Sequence, residues 1–448
     1  MIAAVPAHTR APGANLKPCV VQGVTARCGT LVVPENRAKP GGRTIGLHVV
    51  VLPALVKPAA TDAVTYLEGG PGGAATAETA VRSEQLAGLN VRHDILLVDQ
   101  RGTGKSNAYF CPNPKSPVMS TAAVRAWTRA CLKAFGGDVR QYGTRMAADD
   151  LDAVRAALGY RRLDLIGSSY GATAAQVYLR LHPSSVRTLI LVAGTALDVP
   201  FFGRWALNAQ RALDQWARLC DSQPACRTAF PGWERRLGEL VKAWDAHPVQ
   251  VRKSVTMTGV QLASIVHSML VDAGEAPSIP LLVTRAAKGD YGPLNAAGRG
   301  DLSVSPQLMT WSIWCNEPWT GLDAKGPWGT AFDSDTSAFI GLFRKGCAFM
   351  PKREEPRSLW TLPPAERVPV LAFVGGADPQ DPLANLGDLR RTFPDSRAVV
   401  LPHIGHSFGI GGCVDEIMTH FVERATTRGL ITTQCNSQIA VPAFQLSG

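Results

Sequence analysis

Residues 167 to 171 read Gly-Ser-Ser-Tyr-Gly, a G-x-S-x-G centred on Ser169. The apolar run RLDLIGSS leads into it, and the small residues Ala172, Ala174 and Ala175 follow. A serine presented on a sharp strand-to-helix turn needs small neighbours on both sides, because the turn leaves no room for side chains. That turn exposes Ser169, not Ser168. A serine hydroxyl becomes a nucleophile only beside a base. For a serine so presented, the chain order is nucleophile, acid, histidine. FVGGADPQDP supplies Asp378 as the acid, with Asp381 as competitor, and VLPHIGHSF supplies His406, with His403 as competitor. Asp378 is favoured because it comes directly off an apolar run, whereas Asp381 suits the cap of a following helix. His406 is favoured because Gly405 lets the loop turn an imidazole inward. In these roles His406 takes the Ser169 proton, and Asp378 fixes the imidazole tautomer and stabilises the imidazolium.

Acyl transfer also needs donors for the developing oxyanion. YLEGGPGGAA places Gly69, Gly70, Gly72 and Gly73 after an apolar run, where backbone amides can approach a substrate. The expected donors are the amides of Tyr170 and Gly70. A second glycine-rich stretch, DQRGTGKS (99–106), ends like a phosphate-binding P-loop. The motif requires glycine five positions before Gly104. That position is Asp99, an acid that repels phosphate, so no nucleotide is expected. Asp99 and Arg101 read instead as charges bracing the loops beside the GGPG turn.

The elements that must position these residues alternate. TIGLHVVVLPA (44–54), AVTYLEGG (63–70), HDILLVD (93–99), RLDLIGSS (162–169) and VRTLILVAG (186–194) read as strands. TRMAADDLDAVRAALGY (144–160) has helical spacing, with acids near its start, and YGATAAQVYLRLHP (170–183) is a helix ended by Pro183. Such alternation predicts a largely parallel sheet covered by helices. From about 200 to 360 only amphipathic helices and loops are expected, including RWALNAQRALDQWARLC and WERRLGELVKAWDAHP. That stretch holds nine of the ten tryptophans, most of them core and a few expected to line a substrate pocket. VPVLAFVGG (368–376) and SRAVVLPHIGH (396–406) complete the sheet. The division is a core of 1–199 and 361–448, with a lid of 200–360 over its active edge.

Composition excludes several classes. The 46 basic residues against 36 acids leave a net charge of +10. They are scattered, without the basic patch of a nucleic-acid surface. No run of eighteen apolar residues occurs, so no membrane span is expected. The ten cysteines show no zinc spacing, so no metal and no cofactor are expected. An even count favours disulfides and an oxidising compartment. The simplest pairing joins sequence neighbours: Cys19 with Cys28, Cys111 with Cys131, Cys220 with Cys226, Cys315 with Cys347, and Cys413 with Cys435. The first residues, MIAAVPAHTRAPGANLKPC, read as a mature chain given a start methionine, its export signal removed.

GGPGG, DQRGTGKS, GSSYG, GADPQDP and GHS follow one another as in a known group. In their order and spacing the chain resembles the proline iminopeptidase and tripeptidyl aminopeptidase group of α/β-hydrolases. The segment ARCGTLVVPENRAKPGGRTIGLHVVVLPA, FPGWERRL in the lid and the cysteine-bearing tail extend the likeness over nearly the whole chain. The resemblance implies the α/β-hydrolase fold, a mostly parallel sheet with helices on both faces and a helical lid inserted late in it. It implies a secreted or periplasmic serine exopeptidase acting on a small peptide, or otherwise on an amide or ester. Ser169, Asp378 and His406 carry over as the triad, and Gly70 and Tyr170 as the oxyanion donors. The chain departs from the pattern at Glu68, where His is common before GGPG, and at Ser168, where Glu is frequent. Glu317, in WCNEPW, is the candidate to hold the free amine of a substrate.

Overall fold

The computed structural model describes residues 15–57, 59–112, 121–297, 307–361, 367–433, 435 and 438–447. The first fourteen residues, which bear on the expected export signal, lie outside these, as do 298–306 and 362–366 around the expected lid.

Eleven strands form in chain order: β1 (Lys17–Val21), β2 (Val24–Pro34), β3 (Thr44–Leu52), β4 (Ala63–Leu67), β5 (Ile95–Val98), β6 (Leu163–Ser168), β7 (Val186–Val192), β8 (Val249–Arg252), β9 (Val255–Met257), β10 (Val370–Gly375) and β11 (Ser396–Leu401). Nine of them make one sheet in the order β1-β2-β3-β5-β4-β6-β7-β10-β11. The strands from β5 to β11 along that order run parallel, and β1, β2 and β3 join antiparallel. β6, β7 and β10 are apolar almost throughout because a parallel sheet is covered on both faces. β2 alternates buried and exposed residues, as a strand with one solvated face must. That alternation, with Thr25, Arg27, Thr30 and Val32 on the exposed side, is why β1 and β2 escaped the sequence reading.

Period-two alternation sends neighbouring residues to opposite layers. Leu163 and Leu165 pack with Leu151, Val154 and Leu179, from the helices Thr144–Leu158 and Tyr170–Leu181. Ile166, Ile190 and Phe373 pack against Ile417 and Phe421 of the helix Cys413–Arg424 on the other face. Each such fully buried side chain contributes about 2 kcal/mol.

The helix Thr144–Leu158 carries no acid in its first turn, contrary to the dipole reading of its sequence. Its acids sit further along and serve tertiary contacts: Asp150 takes a two-pronged bond from Arg101, and Asp149 meets His182 at 3.1 Å.

Between β7 and β10 lie the helices Phe201–Ser222, Trp233–Ala246, Gly259–Val271, Leu308–Asn316 and Asp333–Cys347. Part of this segment forms its own core, in which Trp216, Trp233 and Trp244 are buried with Leu213, Leu262 and Phe332. The expectation of a strand-free segment fails at β8 and β9, which pair as an antiparallel hairpin. With four and three residues, these strands are too short to leave an apolar run in the sequence. All ten cysteines form the five neighbour disulfides. Among the described residues, no helix is long and apolar enough to cross a membrane.

Candidate active site

Register sets the site. Leu67 of β4 pairs with Gly167 of β6, Ser168 with Val192 of β7, Val192 with Phe373 of β10, and Gly375 with Leu401 of β11. The carboxyl ends therefore line up, and the turns leaving β4, β6, β10 and β11 meet at one edge. Ligands of open parallel sheets bind at this edge.

Ser169 stands between β6 and the helix Tyr170–Leu181 with φ 54° and ψ −123°. A non-glycine residue there costs about 1–2 kcal/mol, and the surroundings must hold it. The Ser169 amide donates to Val192 O at 2.9 Å, anchoring the turn to β7. A Cβ at Gly167 would strike the Gly171 carbonyl, and one at Gly171 would strike Leu67 O, so the flanking glycines are sterically required. The helix beyond starts at Tyr170, and its first-turn amides have no partner within the helix.

His406 closes a chain of hydrogen bonds. Its Nε2 lies 3.1 Å from Ser169 Oγ, and its Nδ1 lies 3.0 and 3.2 Å from the two Asp378 oxygens. Asp378 Oδ1 also accepts from the amides of Gln380 and Asp381, at 2.8 and 2.9 Å. Burial pulls the His406 pKa down, but the charge and hydrogen bond of Asp378, with the charge of Asp381, outweigh it and raise the imidazole to about 9. His403 takes no part, and its Nδ1 has no hydrogen-bond partner.

Asp381 is not a helix cap. The short helix after it starts at Leu383, with Pro382 at the capping position. Its Oδ1 accepts from the Thr195 hydroxyl, and its Oδ2 lies 3.6 Å from His406 Nδ1. Burial pushes this carboxyl above the usual range; the His406 charge opposes that, and the Asp378 charge adds to it.

The GGPGG turn reaches Ser169. A Cβ on Gly69 would lie 3.1 Å from Ser169 Cβ, so a side chain there would press on the nucleophile. Gly70 and Tyr170 line the same cavity as Ser169. That cavity, about 200 Å³, is walled by Phe201, Trp205, Trp314, Trp319 and Phe339. Three of the nine tryptophans of the 200–360 segment thus reach it. Phe201 and Phe339 carried no sequence signal beyond helical spacing.

Glu317 is elsewhere. It is not among the described residues lining the cavity but lies behind its wall. Its carboxylate accepts from the Thr144 amide and hydroxyl, each at 2.6 Å, and from Trp319 Nε1 at 2.7 Å. Burial raises it to about 7 against these three bonds. The Thr144 hydroxyl meets the Tyr170 hydroxyl at 2.8 Å, and Gln100 Nε2 donates to the same phenol at 3.0 Å. Glu317 and Gln100 thus buttress the residue after Ser169. Gln100 lies beyond β5 at the same sheet edge, and that placement was its only sequence signal.

Glu68, the departure before GGPG, is engaged by Arg82 in two bonds of 2.8 Å, with the guanidinium 3.8 Å above Tyr66. Asp99 braces the residues beside the GGPGG turn, accepting from the amide and hydroxyl of Thr76, both at 2.9 Å. Arg101 instead reaches Asp150 and the carbonyls of Glu35 and Gln141. Among the described residues, no group of His, Cys, Asp or Glu could hold a metal ion.

The family model described as alpha/beta hydrolase fold matches residues 62–412. The chain belongs to the α/β-hydrolase fold family. It is 30% identical over 212 residues to a tripeptidyl aminopeptidase of Streptomyces coelicolor, covering 40% of this chain and 39% of that protein. It is 29% identical over 242 residues to carboxylesterase B of Mycobacterium tuberculosis, covering 48% and 46%. The chain thus spans less than half the length of these curated relatives. A proline iminopeptidase-related protein from Thermus thermophilus superposes with a TM-score of 0.41 at 18% identity, covering 89% of this chain and 99% of that one.

Proposed function

We propose that this α/β-hydrolase is a serine aminopeptidase that cleaves short peptides through an acyl-enzyme. The observation that carries this reading is the continuous path from Ser169 Oγ through His406 to Asp378, at 3.1 and 3.0 Å. Ser169 Oγ attacks the scissile carbonyl carbon as His406 Nε2 takes its proton. The amides of Tyr170 and Gly70 receive the oxyanion. The C–N bond breaks, His406 passes the proton to the leaving amine, and the acyl group stays on Ser169 as an ester. Water then attacks that ester, losing its proton to His406, which returns it to Ser169 Oγ. Asp378 keeps Nδ1 protonated and stabilises the imidazolium. The helical segment 200–360 acts as a lid on the core of 1–199 and 361–448 and restricts access to chain ends.

The tripeptidyl aminopeptidase relative supports the peptide reading. The carboxylesterase relative supports a second one, ester hydrolysis with the same machinery. The five disulfides support folding in an oxidising compartment, hence a secreted or periplasmic enzyme. The deciding experiment compares aminoacyl arylamides with nitrophenyl esters, for the wild type and Ser169→Ala. A peptidase cleaves the arylamides, and both activities vanish in the variant. Fast ester turnover with inert arylamides selects the esterase, and turnover by Ser169→Ala moves the nucleophile elsewhere.

A further inference from the structure

The loop that carries His406 is gripped from two sides. On the core side, the Ala377 amide donates to Ile404 O at 2.9 Å, and a Cβ at Gly375 would strike the Gly405 carbonyl. Gly375 ends β10, three residues before Asp378, so this side sets the base against its acid. On the other side lies the helix Gly259–Val271 of the proposed lid. Its last carbonyl, Val271 O, accepts from the Ser407 amide at 3.0 Å. Asp272, the next residue, pairs with Ser407 as an isolated parallel bridge. A Cβ at Gly405 would strike the carbonyl oxygens of both Val271 and Leu270. The residues before and after His406 therefore both rest on the end of one helix.

The last four carbonyls of a helix have no partner within it. Ser407 supplies a donor to one of them, so the contact that fixes the loop also satisfies the helix end. The helix is not free to follow a drifting loop. A capping box of Thr258 and Gln261 closes its start. His267 Nδ1 lies 3.5 Å from Asp335, and the His267 ring lies 4.6 Å from that of Trp205. Leu270 is fully buried in the core that this segment forms for itself. His406 Nε2 stands 3.1 Å from Ser169 Oγ. A misplacement of about 1 Å in such a contact costs about 100-fold in rate. We infer that the C-terminal end of the helix Gly259–Val271 positions the catalytic base, with Val271 and Gly405 as positioning residues, so that His406 meets Ser169 only while this end of the lid is seated. The lid then does not swing away whole during turnover, and substrate enters without lifting this end.

This inference rests on His406 serving Ser169 as its base, and the experiment separates the two. Turnover of nitrophenyl butyrate is followed across pH, with thermal melts, for the wild type, Gly405→Ala, Leu270→Ala and the double variant. Gly405→Ala pushes the helix end off the loop and lowers kcat about 100-fold, with KM changed by less than about threefold, because the base is disturbed and the cavity is not. Burial lowers the His406 pKa and Asp378 raises it to about 9, so a ring that slips from Asp378 titrates lower and the inflection of the pH profile moves down. Leu270→Ala opens a void behind the helix end and lowers kcat about tenfold. Leu270→Met refills it and restores the rate. The double variant loses no more than Gly405→Ala alone, since both changes disturb one contact. A rise in KM with kcat intact, an unmoved inflection, or losses that multiply in the double variant overturn the assignment while leaving Ser169 in place. Should Gly405→Ala not fold, Leu270→Ala decides by the same division between kcat and KM and the same inflection. Activity surviving in Ser169→Ala removes the underlying reading instead.

Discussion

Asp381 and Glu317 are both buried near Ser169, at 3% and 5% exposure, and burial lifts both above the usual carboxylate range. Their employment differs. Glu317 takes three bonds, from Thr144 and Trp319, and behaves as part of the cavity wall. Asp381 takes one close side-chain bond, from Thr195, with the Asn385 amide beside it, and otherwise faces the cavity and His406. Burial and an elevated pKa therefore do not by themselves separate a chemical acid from a structural one. The partners differ: Glu317 has three hydrogen-bond donors, whereas Asp381 has Thr195 with Asn385 and the His406 ring beside it.

The contrast has meaning only if Ser169 reacts. Ser169→Ala lowers kcat/KM by about ten-thousand-fold or more and leaves the melting temperature near that of the wild type. Steady-state kinetics on the preferred arylamide, with thermal melts, checks both. The next effect is on stability. Glu317→Ala leaves the Thr144 amide and Trp319 Nε1 buried without their acceptor, and costs about 3 kcal/mol. Asp381→Asn keeps an acceptor for Thr195 and stays within about 1 kcal/mol of the wild type. Denaturant titration of both variants tests the pair, and equal losses would erase the distinction.

A pH profile sharpens it further. The active base is neutral imidazole, and His406 is raised to about 9. Below that value kcat/KM falls about tenfold per pH unit, so activity climbs on the alkaline side of neutrality. Asp381→Asn removes a negative charge beside the ring, and the inflection measured with butyrate moves down. Glu317 shows in stability instead. Its pKa is raised from 4.5 to about 7, so the folded chain holds this proton more tightly than the unfolded one does. Its contribution to stability therefore falls as pH rises from 4.5 to about 7, a slope that Glu317→Gln loses.

Much of this was legible in the sequence. The parallel strands announce themselves because burial on both faces makes them continuously apolar, and the turns after β4, β6, β10 and β11 carry their glycines, Ser169, Asp378 and His406 at predictable places. Asp381 was weighed only as a triad competitor or a helix cap. Its contacts with Thr195 and His406 join residues 186 and 25 positions away, and local spacing carries no trace of them. Glu317 failed to announce its neighbour for the same reason, since Thr144 lies 173 residues earlier. β1 and β2 were missed because a strand with one solvated face dilutes its apolar signal, and β8 with β9 because they are short.

The smallest effect belongs to the P-loop-like stretch. Lys105 closes a P-loop-like stretch, yet its side chain is exposed. Its backbone amide donates to Asp99 Oδ2 at 2.9 Å, and Thr76 donates to the same carboxylate through its amide and hydroxyl. Asp99, fully buried, is thus a third acid of the Glu317 kind, with its donors supplied. The Lys105 amide, which a phosphate would need, is already committed to Asp99, and the amides of Gly102, Thr103 and Ser106 to carbonyls of the same loop. Because the donor at Lys105 is backbone, Lys105→Ala keeps it. The variant retains arylamide turnover within about twofold and stability within about 0.5 kcal/mol, as a surface substitution should. ATP leaves the wild-type melting temperature unchanged, since a ligand that does not bind the folded state cannot stabilise it. A melt that rises with ATP and loses that rise in Lys105→Ala would mean that Asp99 can be displaced, and a satisfied acid would no longer mark a purely structural site.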